Sequence, residues 1–241
     1  MVRLAQLTGH DKSQVSRTLR ILAEAGLVDR VPTSQAYRLG WRLYGLAAVA
    51  GDARLREEAP PLLVDLVGRV GERAHVSVLE AGAVLTLWSE APPSAIQAAG
   101  WVGRSVPAHC SSSGRALLMD HDPAALVSLF GEGALEPSGP NGPRHVDDLA
   151  ARVAAAARVG YAVVDEEFEV GLVAVAAPVR DFRGTIVAAI NVSGPKFRLR
   201  PHLDRAAEAT LAAARRLTAL LGGEPALEAS RYEPDQREAN P

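Results

Sequence analysis

The stretch HDKSQVSRTLRILAEAGLVDR, residues 10–30, decides how the rest of the chain is read. Val15, Leu19 and Leu22 recur at helical spacing and form one apolar stripe. Asp11 or Ser13 can cap the helix start, because a side-chain oxygen there accepts from the free N–H groups of the first turn. Gly26 supplies the stop. Away from the stripe the surface is polar and basic, with Lys12, Ser13, Gln14, Ser16, Arg17 and Arg20.

The flanks extend the pattern. VRLAQLT, residues 2–8, reads as a short helix ended by Gly9. LVDRV and AYRLG, joined by PTSQ, read as two short strands and a turn. Helix, tight turn, helix, hairpin is the order of a winged helix-turn-helix, whose second helix fits the major groove of DNA. In that geometry Ser13 and Ser16 bond phosphate or base, Gln14 pairs with adenine, and Arg17 and Arg20 reach guanine or phosphate. Arg30 and Arg38 on the hairpin then lie near phosphates, and Lys12 joins the same face. The competing reading is an amphipathic surface helix with a solvated polar face.

Charge supports the first reading. The 241 residues carry a net charge of −2, but residues 1–50 hold seven bases and three acids, a balance of +4 that leaves −6 for the other 191. A basic head on an acidic body is the asymmetry of a chain that meets a polyanion at one end. Apolar residues make up 48% of the chain, enough for a packed core. With Cys110 alone, an internal disulfide is impossible, which suits a reducing cytoplasm. The chain shows neither a signal-peptide pattern nor an apolar run of about 18 residues, which argues against secretion and membrane spanning.

The pattern past residue 40 is α+β. Residues 41–58 form a linker helix, and residues 59–72 a second amphipathic helix after Pro60 and Pro61. HVSVLE and VLTLWSE form a hairpin turned at Ala81-Gly82, SAIQAA is a third strand, and SSSGRALLMD and PAALVSLF start helices. Residues 131–145 are a Gly/Pro-rich loop, and residues 146–160 a helix stopped by Gly160. LVAVAAPVR and TIVAAINVS are apolar strands joined by a DFRG turn, and residues 202–221 a closing helix. The domain plan is 1–40 winged helix-turn-helix, 41–58 linker helix, 59–221 effector-binding domain on an antiparallel sheet, and 222–241 disordered tail.

LAQLTGHDKSQVSRTLRILAEAGLV followed by YRLG resembles the DNA-binding domain of the isocitrate-lyase-regulator (IclR) family of bacterial transcription factors. VGRSVPAHCSSSGRALL, GYAVVDEEF and AAPVRDFRGTIVAAINVSGP resemble that family's effector-binding domain, so the likeness runs over about residues 2–221. It implies a ligand-responsive DNA-binding regulator whose sheet domain is related to the GAF fold. It also implies a homodimer or a tetramer of paired dimers, operator DNA and a small-molecule effector as partners, and no cofactor or bound metal. The family carries a further helix before the segment that starts at Val2. Its absence would remove packing partners for Leu4, Leu7, Val15 and Leu19, and a start codon upstream is the favoured explanation.

The resemblance also implies the effector site. Ser112 and Ser113, before Gly114, offer backbone N–H groups to a ligand carboxylate; the plainer reading is a helix cap. Val164 stands where members that bind small keto acids have Asp, and Ala174 where Cys is frequent, while Asn191 and Ser193 match polar wall positions. Trp88, Trp101 and His109 complete the candidate lining, with buried core the plainer reading of both tryptophans. The expected effector has an anionic or polar end and an apolar or aromatic body larger than glyoxylate or pyruvate.

Three other classes compete. CSSSG is not a G-x-S-x-G elbow, and His109 and Cys110, adjacent on a strand, would point to opposite faces, which argues against an enzyme. A redox thiol at Cys110 would need exposure and a low pKa. The histidines lack metal-ligand spacing, and the acidic run at 165–167 is either a cation site or a solvated loop. A GAF-like small-molecule-binding or protein-interaction module without productive DNA binding is the remaining alternative.

Overall fold

The computed structural model describes residues 2–93 and 100–223, so the strand expected over SAIQAA and nearly all of the 222–241 tail lie outside the described residues. The chain divides into two compact units, Met1–Arg54 and Leu55–Pro241.

The first unit starts with helices α1 (Val2–Thr8) and α2 (Lys12–Glu24). Asp11 caps α2 by accepting from the Gln14 N–H at 2.9 Å. At the far end Gly26 has φ +70, the left-handed conformation that lets Gly26 and Leu27 N–H bond back to Ala23 and Leu22 carbonyls. The chain then enters an antiparallel hairpin of β1 (Val28–Arg30) and β2 (Tyr37–Leu39), with Asp29 opposite Arg38. Val15 and Leu19 are buried, whereas Leu4 is 40% and Leu7 74% exposed. The burial of Val15 and Leu19 goes against the expectation that they would lack packing partners.

One helix, α3 (Trp41–Val70), replaces the two helices expected to meet at Pro60-Pro61. Each proline withdraws an N–H donor and would break an exposed helix. Here Leu55, Ala59, Leu62, Leu63, Leu66 and Val67 form one buried stripe that continues past both prolines. Burying each large aliphatic side chain contributes about 1.5–3 kcal/mol, enough to offset the local cost.

The second unit is built on a six-stranded antiparallel sheet. Its strands are β3 (Arg73–Glu80), β4 (Ala83–Glu90), β5 (Ser105–Pro107), β6 (Ala162–Asp165), β7 (Leu172–Arg180) and β8 (Ile186–Pro195), in spatial order β5-β4-β3-β8-β7-β6. Alternation along the strands feeds two cores. Ala74, Val76, Val173, Val175, Ile190 and Val192 pack with the Leu55–Val67 stripe and with α8 (Leu203–Leu220). On the other face Ala162, Ala176 and Ala189 pack beneath α4 (Ser112–Leu117), α5 (Pro123–Phe130) and α6 (Val146–Val159). A short helix α7 (Lys196–Leu199) leads from β8 towards α8. The fold is α+β, as the sequence implies.

Candidate functional site

All eight residues assigned to DNA are on the surface. Lys12, Ser13, Gln14, Ser16, Arg17 and Arg20 are exposed along α2, while Val15 and Leu19 between them are buried. Arg30 and Arg38 are exposed on the hairpin. Arg38 Nε lies 3.3 Å from Asp29 Oδ2, a solvent-screened pair that leaves the guanidinium accessible. At 1.5 Å per residue α2 is about 20 Å long, so its polar face spans roughly one groove crossing.

The second constellation lies on the α4 face of the sheet. Strand register sets it out in rows: Arg73, Ser193, Ala174 and Val164 are successive cross-strand partners, as are Ser89, His75, Asn191, Ala176 and Ala162. Thr86, Ser77 and Ala189 form a third row. Polar groups therefore gather on β3, β4 and β8, and small apolar ones on β6 and β7. His75, Ser77, Thr86, Asn191, Ser112 and Ser113 are all buried, at most 8% exposed. Such a concentration on one face of an otherwise apolar core demands partners.

Above this face Ser111 caps α4 by accepting from the Gly114 N–H at 3.1 Å, so the capping residue is Ser111, one position before the expected pair. Gly114 is required by a close approach: a Cβ there would stand 2.0 Å from the Ala108 carbonyl oxygen, in the 3-10 turn Ala108–Cys110. Ser112 and Ser113 follow as the first two residues of the helix.

The structure does not bring every expected residue to this face. Trp88 pairs with Val76 beside a bulge, and Val76 belongs to the opposite core, so Trp88 lies on that other face, where it is 45% exposed and not the buried core residue of the plainer expectation. The bulge, invisible in the alternation of VLTLWSE, shifts it out of register. His109 is engaged elsewhere, with Nε2 2.9 Å from the Glu136 carbonyl oxygen and its ring edge-on to Phe130 at 5.9 Å. Trp101, half-buried, packs edge-on to the His75 ring at 5.7 Å and beneath the Arg104 guanidinium.

His75 and Arg73 are the members that sequence reasoning missed. Burial, reinforced by the Arg73 charge, pushes the His75 imidazole down to about 4. Its Nδ1 is buried without a hydrogen-bond partner among the described residues. Arg73 donates to Ser89 Oγ at 3.2 Å. Only the strand alternation of HVSVLE could have pointed to His75, by placing it opposite Val76 and Val78.

The other chemistries resolve into structure. Cys110 is fully buried, its Sγ 3.0 Å from Ser138 Oγ, and burial raises its pKa, the reverse of a reactive thiol. The acidic run is neither a cation site nor a solvated loop, because each carboxylate has an internal counter-ion. Lys196 Nζ lies 2.8 Å from Asp165 Oδ1 and 2.9 Å from Glu166 Oε2. Glu167 pairs with buried Arg115 through both carboxylate oxygens and with Arg152 at 3.0 Å. Arg115 also donates to the Val163 carbonyl at 2.8 Å, tying α4 to β6. No His/Cys/Asp/Glu cluster suited to a metal occurs among the described residues, and none of their helices is long and apolar enough to cross a membrane.

Comparison with known proteins agrees with both halves. The model of the family described as bacterial transcriptional regulator IclR C-terminal matches residues 47–219. The HTH-type transcriptional regulator BhcR of Paracoccus denitrificans (strain Pd 1222) is 32% identical over 227 residues, 90% of this chain and 79% of BhcR. The HTH-type transcriptional repressor AllR of Escherichia coli (strain K12) is 29% identical over 191 residues, 77% of this chain and 70% of AllR. A putative IclR transcriptional regulator from Silicibacter sp. TM1040 superposes with a TM-score of 0.65 at 26% identity, over 92% of this chain and 88% of that one. An IclR homolog complexed with 4-hydroxybenzoate, from Microbacterium hydrocarbonoxydans, gives 0.63 at 26% identity, over 90% and 88%. A helix-turn-helix head with a wing, an effector-type sheet domain and relatives spanning most of the chain lead to one assignment: the chain belongs to the IclR family of bacterial transcriptional regulators.

Proposed function

We propose that this regulator binds operator DNA through α2 and the β1–β2 hairpin, and that a small organic acid on the α4 face of the sheet controls that binding. The observation that carries the DNA half is the segregation along α2. Six polar or basic side chains are exposed while the two apolar ones between them are buried. Lys12, Arg30 and Arg38 contact phosphates; Ser13, Gln14, Ser16, Arg17 and Arg20 reach base edges or the phosphates beside them. One helix reads only a few base pairs, so a homodimer, or a tetramer of two such dimers, supplies symmetric half-sites. Working on DNA places the protein in the cytoplasm. The chain acts as a regulator and not as an enzyme.

Ser112, Ser113, Asn191 and Ser193 hold the polar end of the effector, and Val164 and Ala174 face its body. Apolar side chains at these two positions suit an aromatic or other apolar-bodied acid better than a two- or three-carbon keto acid. The 4-hydroxybenzoate bound by the Microbacterium relative is one example of that class. The effector acts by binding one arrangement of the DNA-binding heads more tightly than another, and the regulated genes form a catabolic operon.

A mobility-shift titration of the intergenic DNA beside the gene, with and without aromatic and short aliphatic acids, tests the reading. A specific complex whose affinity changes with an aromatic acid is expected. No specific complex on any duplex refutes the DNA half and leaves a GAF-like binding module. A response restricted to glyoxylate or pyruvate refutes the effector class.

A further inference from the structure

On the effector face the His75 imidazole carries a fully buried nitrogen that no described residue satisfies. His75 is 5% exposed, and its Nδ1 is buried with no hydrogen-bond partner among the described residues. Ala74 and Val76 on either side belong to the opposite core, so the imidazole stands on the α4 face. Its register neighbours there are Asn191 on β8 and Ser89 on β4, and Trp101 closes over it edge-on. A buried nitrogen without a partner is costly, and a site that keeps one is built for something that arrives later.

The surroundings also fix what can arrive. Arg73, two residues earlier on the same strand face, holds a permanent positive charge, and burial and that charge together keep the ring neutral down to about pH 4. A neutral imidazole presents one N–H donor and one bare nitrogen acceptor, with no charge to match a carboxylate. It therefore suits an uncharged oxygen group: a hydroxyl can accept from the ring N–H or donate to the bare nitrogen, and a carbonyl oxygen can accept from the N–H.

We propose that His75 is a specificity-determining residue of the effector site, and that its Nδ1 hydrogen-bonds an uncharged hydroxyl or carbonyl group of the effector. The effector is then a hydroxylated or oxo-substituted carboxylic acid and not a plain hydrocarbon acid. This rests on the effector reading given above and narrows it. A site built around a buried polar atom rejects the ligand that cannot satisfy it far more strongly than a hydrophobic pocket rejects an extra methylene.

The test is isothermal titration of the full chain with matched pairs: 3- and 4-hydroxybenzoate against benzoate, 4-hydroxyphenylacetate against phenylacetate, and 4-oxopentanoate against pentanoate. Wild type should bind at least one oxygenated member tenfold or more tightly than its partner. His75→Phe, shown folded by its thermal transition, should bring the two within about twofold, and His75→Asn should restore part of the difference. Equal binding within every pair by wild type, or a preference that survives in folded His75→Phe, overturns the proposal while the effector reading stands. Failure of every acid to bind wild type removes the effector reading and this inference with it.

Discussion

Lowering the pH from 7.5 to 5 destabilises the effector domain through His75 in particular. The imidazole has its ordinary value of 6.5 in the unfolded chain and about 4 in the fold. The unfolded state therefore takes up a proton first, and stability is lost as pH falls below 6.5, levelling off below about 4. A separation of about 2.5 pH units corresponds to roughly 3 kcal/mol when fully expressed, of which about 2 kcal/mol has been lost by pH 5. For a domain of this size that is a fall in Tm of about 4–8 °C. The assay is thermal denaturation of wild type and His75→Asn across this range. Carboxylates contribute equally to both, so the difference between the two profiles isolates the imidazole. Wild type should lose about 2 kcal/mol more than the variant between pH 7.5 and 5. Parallel profiles, or an NMR titration of His75 centred near 6.5, would refute the claim that the ring is buried and neutral.

Other perturbations follow from single contacts. Glu167→Ala strands the buried Arg115 guanidinium without its counter-ion, at a cost of about 3–5 kcal/mol by chemical denaturation; a loss under about 1 kcal/mol would contradict the pairing. Gly114→Ala drives a Cβ to 2.0 Å from the Ala108 carbonyl and should cost about 1–3 kcal/mol. Acid binding should weaken with it, and unchanged stability and binding would mean the junction yields freely. Asp11→Ala removes the cap that accepts from Gln14 and should destabilise α2 by about 1 kcal/mol, seen as faster amide exchange in its first turn. Unaltered exchange would place the cap elsewhere.

Local signals made the helix-turn-helix head legible, because Asp11, the Val15–Leu19 stripe and Gly26 act within one helix and its ends. The course of α3 was not legible, since Pro60 and Pro61 mark a break that only burial of Leu55 to Val67 on a distant sheet overrides. β5 and β6 went unread because three and four residues are too few for alternation to register. The acidic run misled for a related reason: Glu167 finds Arg115 across 52 positions, and no local pattern announces that pairing. Val164, Ala174, Asn191 and Ser193 fall on one sheet face, whereas a bulge removes Trp88 and a carbonyl holds His109. His75 is silent in sequence, because its significance lies in what surrounds it and leaves one nitrogen unpaired.

The decisive measurement is fluorescence anisotropy of the full chain on a labelled duplex from the adjoining intergenic region, beside a scrambled duplex of equal length, over a series of salt concentrations. A groove-reading α2 predicts preference for the intergenic sequence and an affinity that falls log-linearly with salt. It further predicts that Arg17→Ala, at an exposed position on α2, loses about 1–3 kcal/mol on that sequence and less on the scrambled one. Equal affinity for both duplexes, with no salt dependence and no effect of Arg17→Ala, would contradict it.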